Sequence, residues 1–503
     1  MKIAFIATPV PAVPLSMLQR EYYFYLFAYR AFSVFSHLSE EDFRRFWMLE
    51  PINLGLLQLI AFLEEKGIEC SFFAPISPNG TATDREMVLM EKILNRAHEF
   101  DAIGFTSITA SYATAARMAK KIREKFPAIP LLLGGNHGWT RDKEVLETSA
   151  FDCVVRKEGE LTTYELLEAI KNKRSFDNIL GLSFKRNGKV ISNQDRPRMD
   201  RSVLPSPAYD HLEDNFTKDE LAGESIVSVP IARVTPAVGC ANNCIWCADY
   251  WKPEVQQQNL DRFANEIMYL SDRRNCRYFY HGTHDFFHDI NTGLKIAAKM
   301  GNLPNKLHWE AQTRINEFIT PEHIRFLKDA GCECLHFGIE SANQDLLNKM
   351  GKNINMKAAE KVLTMVREEG LHTHTYWLMG SPFETYESAN QTIETMTRWL
   401  KDDISSCSEL NILVGYPGTK FYEKRQRYDV TAVDSDFSHY DGRQVPTFDT
   451  KHLHRRDVEY LFHKGLDRYV QVMSEKIGSH DEVLSKLGSK FPNFDPAFME
   501  AAF

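Results

Sequence analysis

Two series of short apolar runs, each run followed by an amphipathic stretch, organise the chain. In the first series the runs are "IAFIAT", "CSFFAP", "DAIGFTS", "PLLLGG" and "DCVVR". Around them, apolar residues recur at helical spacing in "INLGLLQLIAFLEEKG", "DREMVLMEKILNRAHEF", "YATAARMAKKIREKF", "DKEVLETS" and "LTTYELLEAIKN". Apolar strands alternating with helices predict a doubly wound parallel sheet, covered on both faces. Such sheets bind ligands at the carboxyl ends of their strands. Those ends read "ATPVP", "FTSITAS", "GGNHGWT" and "RKEGE". The candidate binding residues among them are Thr106, Ser107, Thr109, Gly134, Gly135, His137, Glu158 and Gly159. Small, hydroxylated and glycine residues suit a close-fitting polar ligand, and ordinary turn chemistry accounts for them equally well.

From Lys173 to Ile231 the alternation stops. "LSFKRNGKVISN" predicts a hairpin around Asn187 and Gly188, which tolerate the positive φ of a tight turn. "RPRMDRSVLPSPAYDHL" reads as a proline-rich connector, so this region is expected to be the joint between two domains. A second series then begins with "IARVTPA" and continues through "CRYFYHG", "HWEAQTR", "ECLHFGIES", "HTHTYWLMG" and "ELNILV". Helical patterns such as "DRFANEIMYLSD", "PEHIRFLKDAG", "MKAAEKVLTMVREEG" and "ESANQTIETMTRWLKD" separate them. Six such units predict a partial (β/α)6 barrel, in which functional groups collect on the loops after the strands. Toward the end, "HRRDVEYLFHKGLDRYVQVMSEKI" predicts a helix that caps the barrel or the sheet. The expected divisions are residues 1–174, 175–230, 231–420 and 421–503. An aromatic insertion, "REYYFYLFAYRAFSVFSHL" from Arg20 to Leu38, has one apolar and one polar face. It is expected to pack on the barrel rather than act as a lid over substrate.

Composition narrows the function classes. The 503 residues suit two or three domains. A formal charge of −8, from 68 acidic and 60 basic residues, gives no footprint for nucleic acid or an anionic membrane. No apolar run is long enough to predict a spanning helix. "MKIAFIATPVPAVPL" reads as a buried strand and not a leader, because Pro9, Pro11 and Pro14 interrupt it. Nine cysteines, mostly scattered, point to a reducing, cytoplasmic setting.

Three of those cysteines are not scattered. "GCANNCIWCADY" places Cys240, Cys244 and Cys247 directly after the first strand of the second series. Three thiols leave one over from any disulfide pairing, and structural zinc usually takes four protein ligands. Three thiolates can hold a four-iron cluster with one iron left open.

A C-x3-C-x2-C loop in this position, with Trp246 just before the last cysteine, resembles the radical S-adenosylmethionine (SAM) superfamily. That resemblance implies a [4Fe–4S] cluster on the three cysteines. Its open iron would bind the amino and carboxylate groups of S-adenosylmethionine, and one electron would release a 5′-deoxyadenosyl radical. Later segments extend the likeness. "GTHDFFHD" lacks the usual glycine–glycine–glutamate form but places Asp285 where many cobalamin-type members have an acid. "WEAQTRIN" contributes Gln312 and Arg314, and "FGIESANQDLLNKMGK" contributes Glu340 and Ser341, all implied to face S-adenosylmethionine. "LMGSPFET" and "VGYPGTKFYE" match the fifth- and sixth-strand turns.

The first series is similar to the cobalamin-binding domain of the cobalamin-dependent branch, although Lys157 stands where a glycine is common. The D-x-H-x-x-G signature is absent, which implies no histidine on cobalt. The family's chemistry implies a methyltransferase acting on an unactivated carbon of a small molecule, with an electron donor such as flavodoxin or ferredoxin. The alternative with the same cofactors is a radical rearrangement or cyclisation without methyl transfer. An RNA methylthiotransferase fits less well, since Cys70 and Cys153 are isolated and the C-terminal part is mixed in charge. A non-catalytic cobalamin sensor would need no cysteine triplet.

Overall fold

The computed structural model of the protein describes residues 1–10, 15–40, 53–75, 82–216, 229–248, 253–442 and 445–491. Its first sheet contains β1 (Lys2–Ala7), β2 (Glu69–Phe73), β3 (Ala102–Thr106), β4 (Leu131–Gly134) and β5 (Cys153–Val155). These five pair in parallel in the order β2-β1-β3-β4-β5. Successive side chains point to opposite faces of a strand, and here both faces are buried. Ile3, Phe5 and Leu132 join one apolar layer with the helices Leu54–Glu65 and Glu160–Lys171. Ala4, Ile6 and Leu133 join the other, against the helix Tyr112–Lys125.

Two details differ from the sequence expectation. The hairpin β6 (Leu182–Arg186) and β7 (Lys189–Ser192) is not a joint between domains. β6 pairs antiparallel with β5 and extends the sheet to seven strands. Leu182 and Phe184 explain this, since both bury in the layer that holds Cys153 and Val155. The turn uses Asn187 and Gly188 at φ 51° and 74°, as expected. The segment "GGNHGWT" is not a simple strand-end loop. After Gly135 it forms a short helix, Asn136–Thr140.

The second sheet has six strands, all parallel: β8 (Ile231–Val234), β11 (Tyr278–His281), β12 (His308–Thr313), β13 (Cys332–Glu340), β14 (His372–Met379) and β15 (Cys407–Ile412). A two-residue strand, β9 (Ala237–Val238), pairs with β10 (Gln256–Gln257) beside the first of them. The sheet is curved into a partial barrel, because side chains from non-adjacent strands meet on its inner face. Tyr280 of β11 and His336 of β13 are edge-to-face at 5.5 Å. Five outer helices begin behind an Asn, Asp or Thr cap whose side chain accepts a backbone N–H: Asn259, Asp289, Thr320, Asn355 and Thr385. Such caps satisfy donors that a helix start leaves unpaired.

The aromatic insertion packs, as expected. Its helix, Met17–Phe32, closes the base of the barrel. Tyr22 Oη donates to the Ser408 carbonyl at 3.2 Å and accepts from the Leu410 N–H at 2.9 Å. Arg30 reaches inside and donates to both oxygens of Glu310, at 2.8 and 2.7 Å. Residues 11–14 and 41–52, on either side of the insertion, lie outside the described residues. The helices Arg455–Ile477 and His480–Lys490 cap the barrel on the β15 side. Gly465 allows that contact, for a Cβ there would come within 2.4 Å of Leu410 Cδ2. A ribbon of β16 (Val430–Val433) and β17 (Phe448–Thr450), which the sequence pattern did not suggest, precedes these helices. Among the described residues no helix is long and apolar enough to cross a membrane.

Candidate functional site

Beyond β9 the chain turns at Gly239, φ 115°, into the cysteine loop. Cys244 is buried, Cys240 and Cys247 are half-buried, and none of the three is in a disulfide. The Cys247 N–H donates to the Cys244 carbonyl at 3.3 Å. Two later turns hold the loop in place. The Ile245 N–H donates to the Met350 carbonyl at 3.2 Å, and the Phe421 N–H to the Ile245 carbonyl at 3.1 Å. Gly351, φ 70°, passes so close that a Cβ would lie 3.1 Å from the Asn243 carbonyl.

Charged groups converge on this loop from β12 and β13. Arg314, just after β12, places Nη1 3.4 Å from Cys244 Sγ, and its Nη2 donates to the Lys352 carbonyl. The Lys352 ammonium in turn donates to Glu340 Oε1 at 2.7 Å, and both side chains are buried. Glu340 has φ 72°, in the left-handed region that side chains avoid. A Cβ at Gly338 would lie 2.6 Å from Glu340 Oε1 and 2.7 Å from Lys352 Nζ. The ion pair therefore crosses the strand where only glycine leaves room. The sequence reading passed over Lys352 and Gly338. A glycine inside an otherwise apolar strand, two residues before an acid, was the available signal.

The other predicted residues of the second domain divide. Asp285 Oδ1 accepts from Thr313 Oγ1 at 3.0 Å and from the Arg314 N–H at 3.2 Å, which anchors the end of β12. Gln312 Oε1 accepts from the Tyr280 hydroxyl at 3.3 Å on the inner face. Ser341 turns away: its hydroxyl, fully buried, lies 3.2 Å from Thr392 Oγ1 and accepts from the Asn343 N–H at 3.1 Å. In the fifth-strand turn, Glu384 accepts from the Gly380 and Ser381 N–H groups, and burial pushes its carboxyl up to about 8.

At the carboxyl end of the first sheet, Gly135 has φ 89°. A Cβ there would meet the Ser107 carbonyl at 2.4 Å, so the neighbouring strand end itself demands glycine. Gly134 has no such crowding, with the Phe105 carbonyl at 3.8 Å. Thr106 ends β3, and Thr109 opens a buried single turn, Thr109–Ser111. The buried hydroxyls of Ser107 and Thr8 have no hydrogen-bond partner among the described residues. Two unpartnered hydroxyls on adjacent strand ends fit the polar tail of a ligand laid across them.

His137 is enclosed instead. It stacks on Tyr112 at 4.1 Å and meets the edge of Phe437 at 4.9 Å, and burial pushes its imidazole down to about 3. Glu158 is engaged by Arg198 at 3.4 Å and by the Met199 N–H at 3.0 Å. Gly159 precedes the helix Glu160–Lys171 as its cap residue. Lys157 adopts φ 61°, the conformation for which glycine has no penalty, and pairs with Asp195 at 2.7 Å. The edge of the first sheet touches the turn after β15, where a Cβ on Gly418 would strike Thr140 Cγ2 at 2.3 Å.

This architecture can be set beside known proteins. Residues 234–396 match the Radical SAM superfamily, and residues 49–167 match the B12 binding domain. An uncharacterized methyltransferase of Pyrococcus horikoshii is 29% identical over 353 residues, which is 69% of this chain and 73% of that protein. The anaerobic magnesium-protoporphyrin IX monomethyl ester cyclase of Cereibacter sphaeroides is 23% identical over 329 residues, 63% of this chain and 53% of the cyclase. The solved structure of the cobalamin-dependent S-adenosylmethionine radical enzyme OxsB with aqua-cobalamin bound shares the fold. Its TM-score is 0.65 at 12% identity, over 91% of this chain and 65% of that one. With a B12 binding domain on the doubly wound sheet and a radical SAM domain on the barrel, the chain belongs to the cobalamin-dependent branch of the radical SAM enzymes.

Proposed function

We propose that this enzyme is a cobalamin-dependent radical methyltransferase acting on an unactivated carbon of a small molecule. One observation carries the reading. A single loop with three cysteines, none in a disulfide, stands on the carboxyl edge of the barrel, and the carboxyl edge of the B12-type sheet touches the same side through Thr140 and Gly418. The cofactors supply an adenosyl radical and a transferable methyl group when bound. The chain's own work is to hold and orient them.

Cys240, Cys244 and Cys247 would hold the [4Fe–4S] cluster, and Arg314 donates toward Cys244 Sγ. Glu340, fixed by Lys352, and Gln312 receive S-adenosylmethionine, while Asp285 positions Arg314. Thr106, Ser107, Thr109 and the open backbone at Gly134 receive the cobalamin tail. His137 belongs to packing, so no histidine is assigned to cobalt. In this reading the first domain runs through β7 and includes the hairpin. The electron comes from a small donor protein such as a flavodoxin or ferredoxin in a reducing cytoplasm.

The match to cyclases supports a second reading, rearrangement or cyclisation without methyl transfer. Anaerobically reconstituted full-length protein, given methyl-labelled S-adenosylmethionine and a strong reductant, separates the two. The methyltransferase reading expects label in the corrinoid fraction together with 5′-deoxyadenosine. Deoxyadenosine without corrinoid label overturns it in favour of the second reading.

A further inference from the structure

The inner face of the barrel carries a charge pattern that neither cofactor explains. At its centre the polar groups bond to one another. The Tyr280 hydroxyl donates to Gln312 Oε1 at 3.3 Å, and His336 Nδ1 lies 2.9 Å from the Tyr376 hydroxyl. Toward the two edges of the open sheet the polarity changes: β8 presents Arg233 and β15 presents Glu409. Glu409 is partly engaged, with Asn411 Nδ2 at 3.2 Å and His374 Nε2 at 3.7 Å. Arg233 is not. Its guanidinium lies 5.6 Å from the centroid of the Tyr280 ring, is exposed, and makes no hydrogen bond or ion pair with any described residue.

The placement of that guanidinium is built. It lies across Gly282, where the absence of a Cβ leaves room for it: a Cβ would come within 2.4 Å of Nε in this position. Tyr280 and Arg233 are register partners on β11 and β8. Gly282 lies two residues past Tyr280, so the guanidinium leans toward the end of the barrel that bears the cysteines. The contrast with the other arginines of this face is direct. Arg30 is taken by Glu310, and Arg314 by Cys244 and the Lys352 carbonyl. A planar fork of donors, stacked on an aromatic ring and otherwise unused, is suited to a carboxylate or a phosphate.

We propose that Arg233 is the anchor for an oxyanion of the substrate, so that the barrel takes small molecules bearing a carboxylate or phosphate group. Glu409, on the opposite edge strand, then faces the donor-bearing or cationic end of the same molecule. This rests on the reading of the barrel as the substrate chamber of a radical enzyme.

The test uses full-length reconstituted protein and follows phenylglyoxal modification of Arg233 by peptide mass. Orthophosphate and succinate are the anionic probes, and succinamide is the neutral control. The expected result is that one or both anions slow modification by about threefold or more, as occupancy of a site requires, while succinamide does not. Protection by phosphate alone assigns the phosphate class, and by succinate alone the carboxylate class. In a second arm, the better anion raises the thermal midpoint of wild type more than that of Arg233→Gln. Equal modification rates with and without both anions overturn the proposal, as do equal thermal shifts in the variant. Protection by S-adenosylmethionine alone also overturns it, because Arg233 would then serve the cosubstrate. Corrinoid labelling without anion protection removes the anchor and leaves the methyltransferase reading standing. Protection without corrinoid labelling does the reverse.

Discussion

At the base of the barrel an arginine meets a glutamate, and near its mouth an arginine lies beside a second cation–glutamate pair. At the base, Arg30 donates to both oxygens of Glu310, Tyr278 adds its hydroxyl at 3.1 Å, and His336 Nε2 lies 3.0 Å away. Burial alone would raise the Glu310 carboxyl, but Arg30 and His336 outweigh it and hold it down at about 2. These groups are committed to one another. At the mouth, Arg314 divides its donors between a thiol and a backbone carbonyl, and Glu340 sits in a strained left-handed conformation on Lys352. The mouth accepts strain and places a cation beside Cys244, and backbone strain of this kind gathers where function requires a fixed geometry. The base holds the insertion helix against the barrel.

The contrast is sharpest if the mouth is emptied while the base is left alone. Changing Cys240, Cys244 and Cys247 together to alanine should remove the iron and sulfide entirely and abolish 5′-deoxyadenosine formation. Far-ultraviolet circular dichroism and the thermal transition should stay close to those of apo wild type. A variant that still held a four-iron cluster would break the assignment of the mouth.

The converse change strikes the base. Arg30→Met leaves Glu310 buried without its main partner and should cost about 3–5 kcal/mol in denaturant unfolding. The sign of the pH dependence follows from the same carboxyl. It titrates near 4.3 in an unfolded chain and at about 2 in the fold. Its contribution is therefore present above about pH 4.3 and lost as the pH falls toward 2. Glu310→Gln should flatten the acid limb of the stability curve in that window. An unchanged acid limb would mean that the base is not the acid-sensitive element.

A smaller effect is expected for the side chains around the cysteines. Arg314→Ala or Glu340→Ala should weaken S-adenosylmethionine binding by about 1–3 kcal/mol, roughly tenfold to a hundredfold, and leave the iron content unchanged. Anaerobic calorimetry measures the affinity, and iron analysis of the same sample measures the cluster content. Gly338→Ala should act in the same direction, because its new methyl displaces the Glu340–Lys352 pair. Wild-type affinity in all three variants would move the cosubstrate elsewhere.

Much of this arrangement is legible in the sequence, and the reasons differ by residue. Short apolar-rich runs bounded by turns located all six barrel strands to within a few residues, because their outward positions stay largely apolar even where the inward ones are polar. The cysteine spacing located the mouth. The hairpin looks like a joint in the sequence because the β-then-α alternation stops there, and only the apolar Leu182 and Phe184 hint at a sheet to bury against. Ser341 was placed at the mouth with Glu340 because the two are adjacent. The left-handed turn at Glu340 instead sends the serine toward Thr392. Lys352 escaped notice because an ion pair made across twelve residues leaves no local pattern.

The first sheet yields the smallest effect and the finest distinction. In the sequence, Gly135 suggests a residue kept small so that a polar ligand can fit closely. The crowding by the Ser107 backbone gives another cause, so Gly135→Leu should disturb the ends of β3 and β4 whether or not cobalamin is present. That substitution cannot separate folding from binding. Ser107→Ala can, because it removes a buried hydroxyl that has no partner among the described residues. If the hydroxyl waits for the cobalamin tail, its loss should cost about 0.5–1.5 kcal/mol, a few-fold in cobalamin affinity. The apo protein should then be no less stable, since an unsatisfied group has been taken out of the interior. A variant that binds cobalamin as well as wild type, and is more stable for the loss, would show that Ser107 is a structural residue with an idle hydroxyl. The tail would then rest on Thr106, Thr109 and the backbone at Gly134.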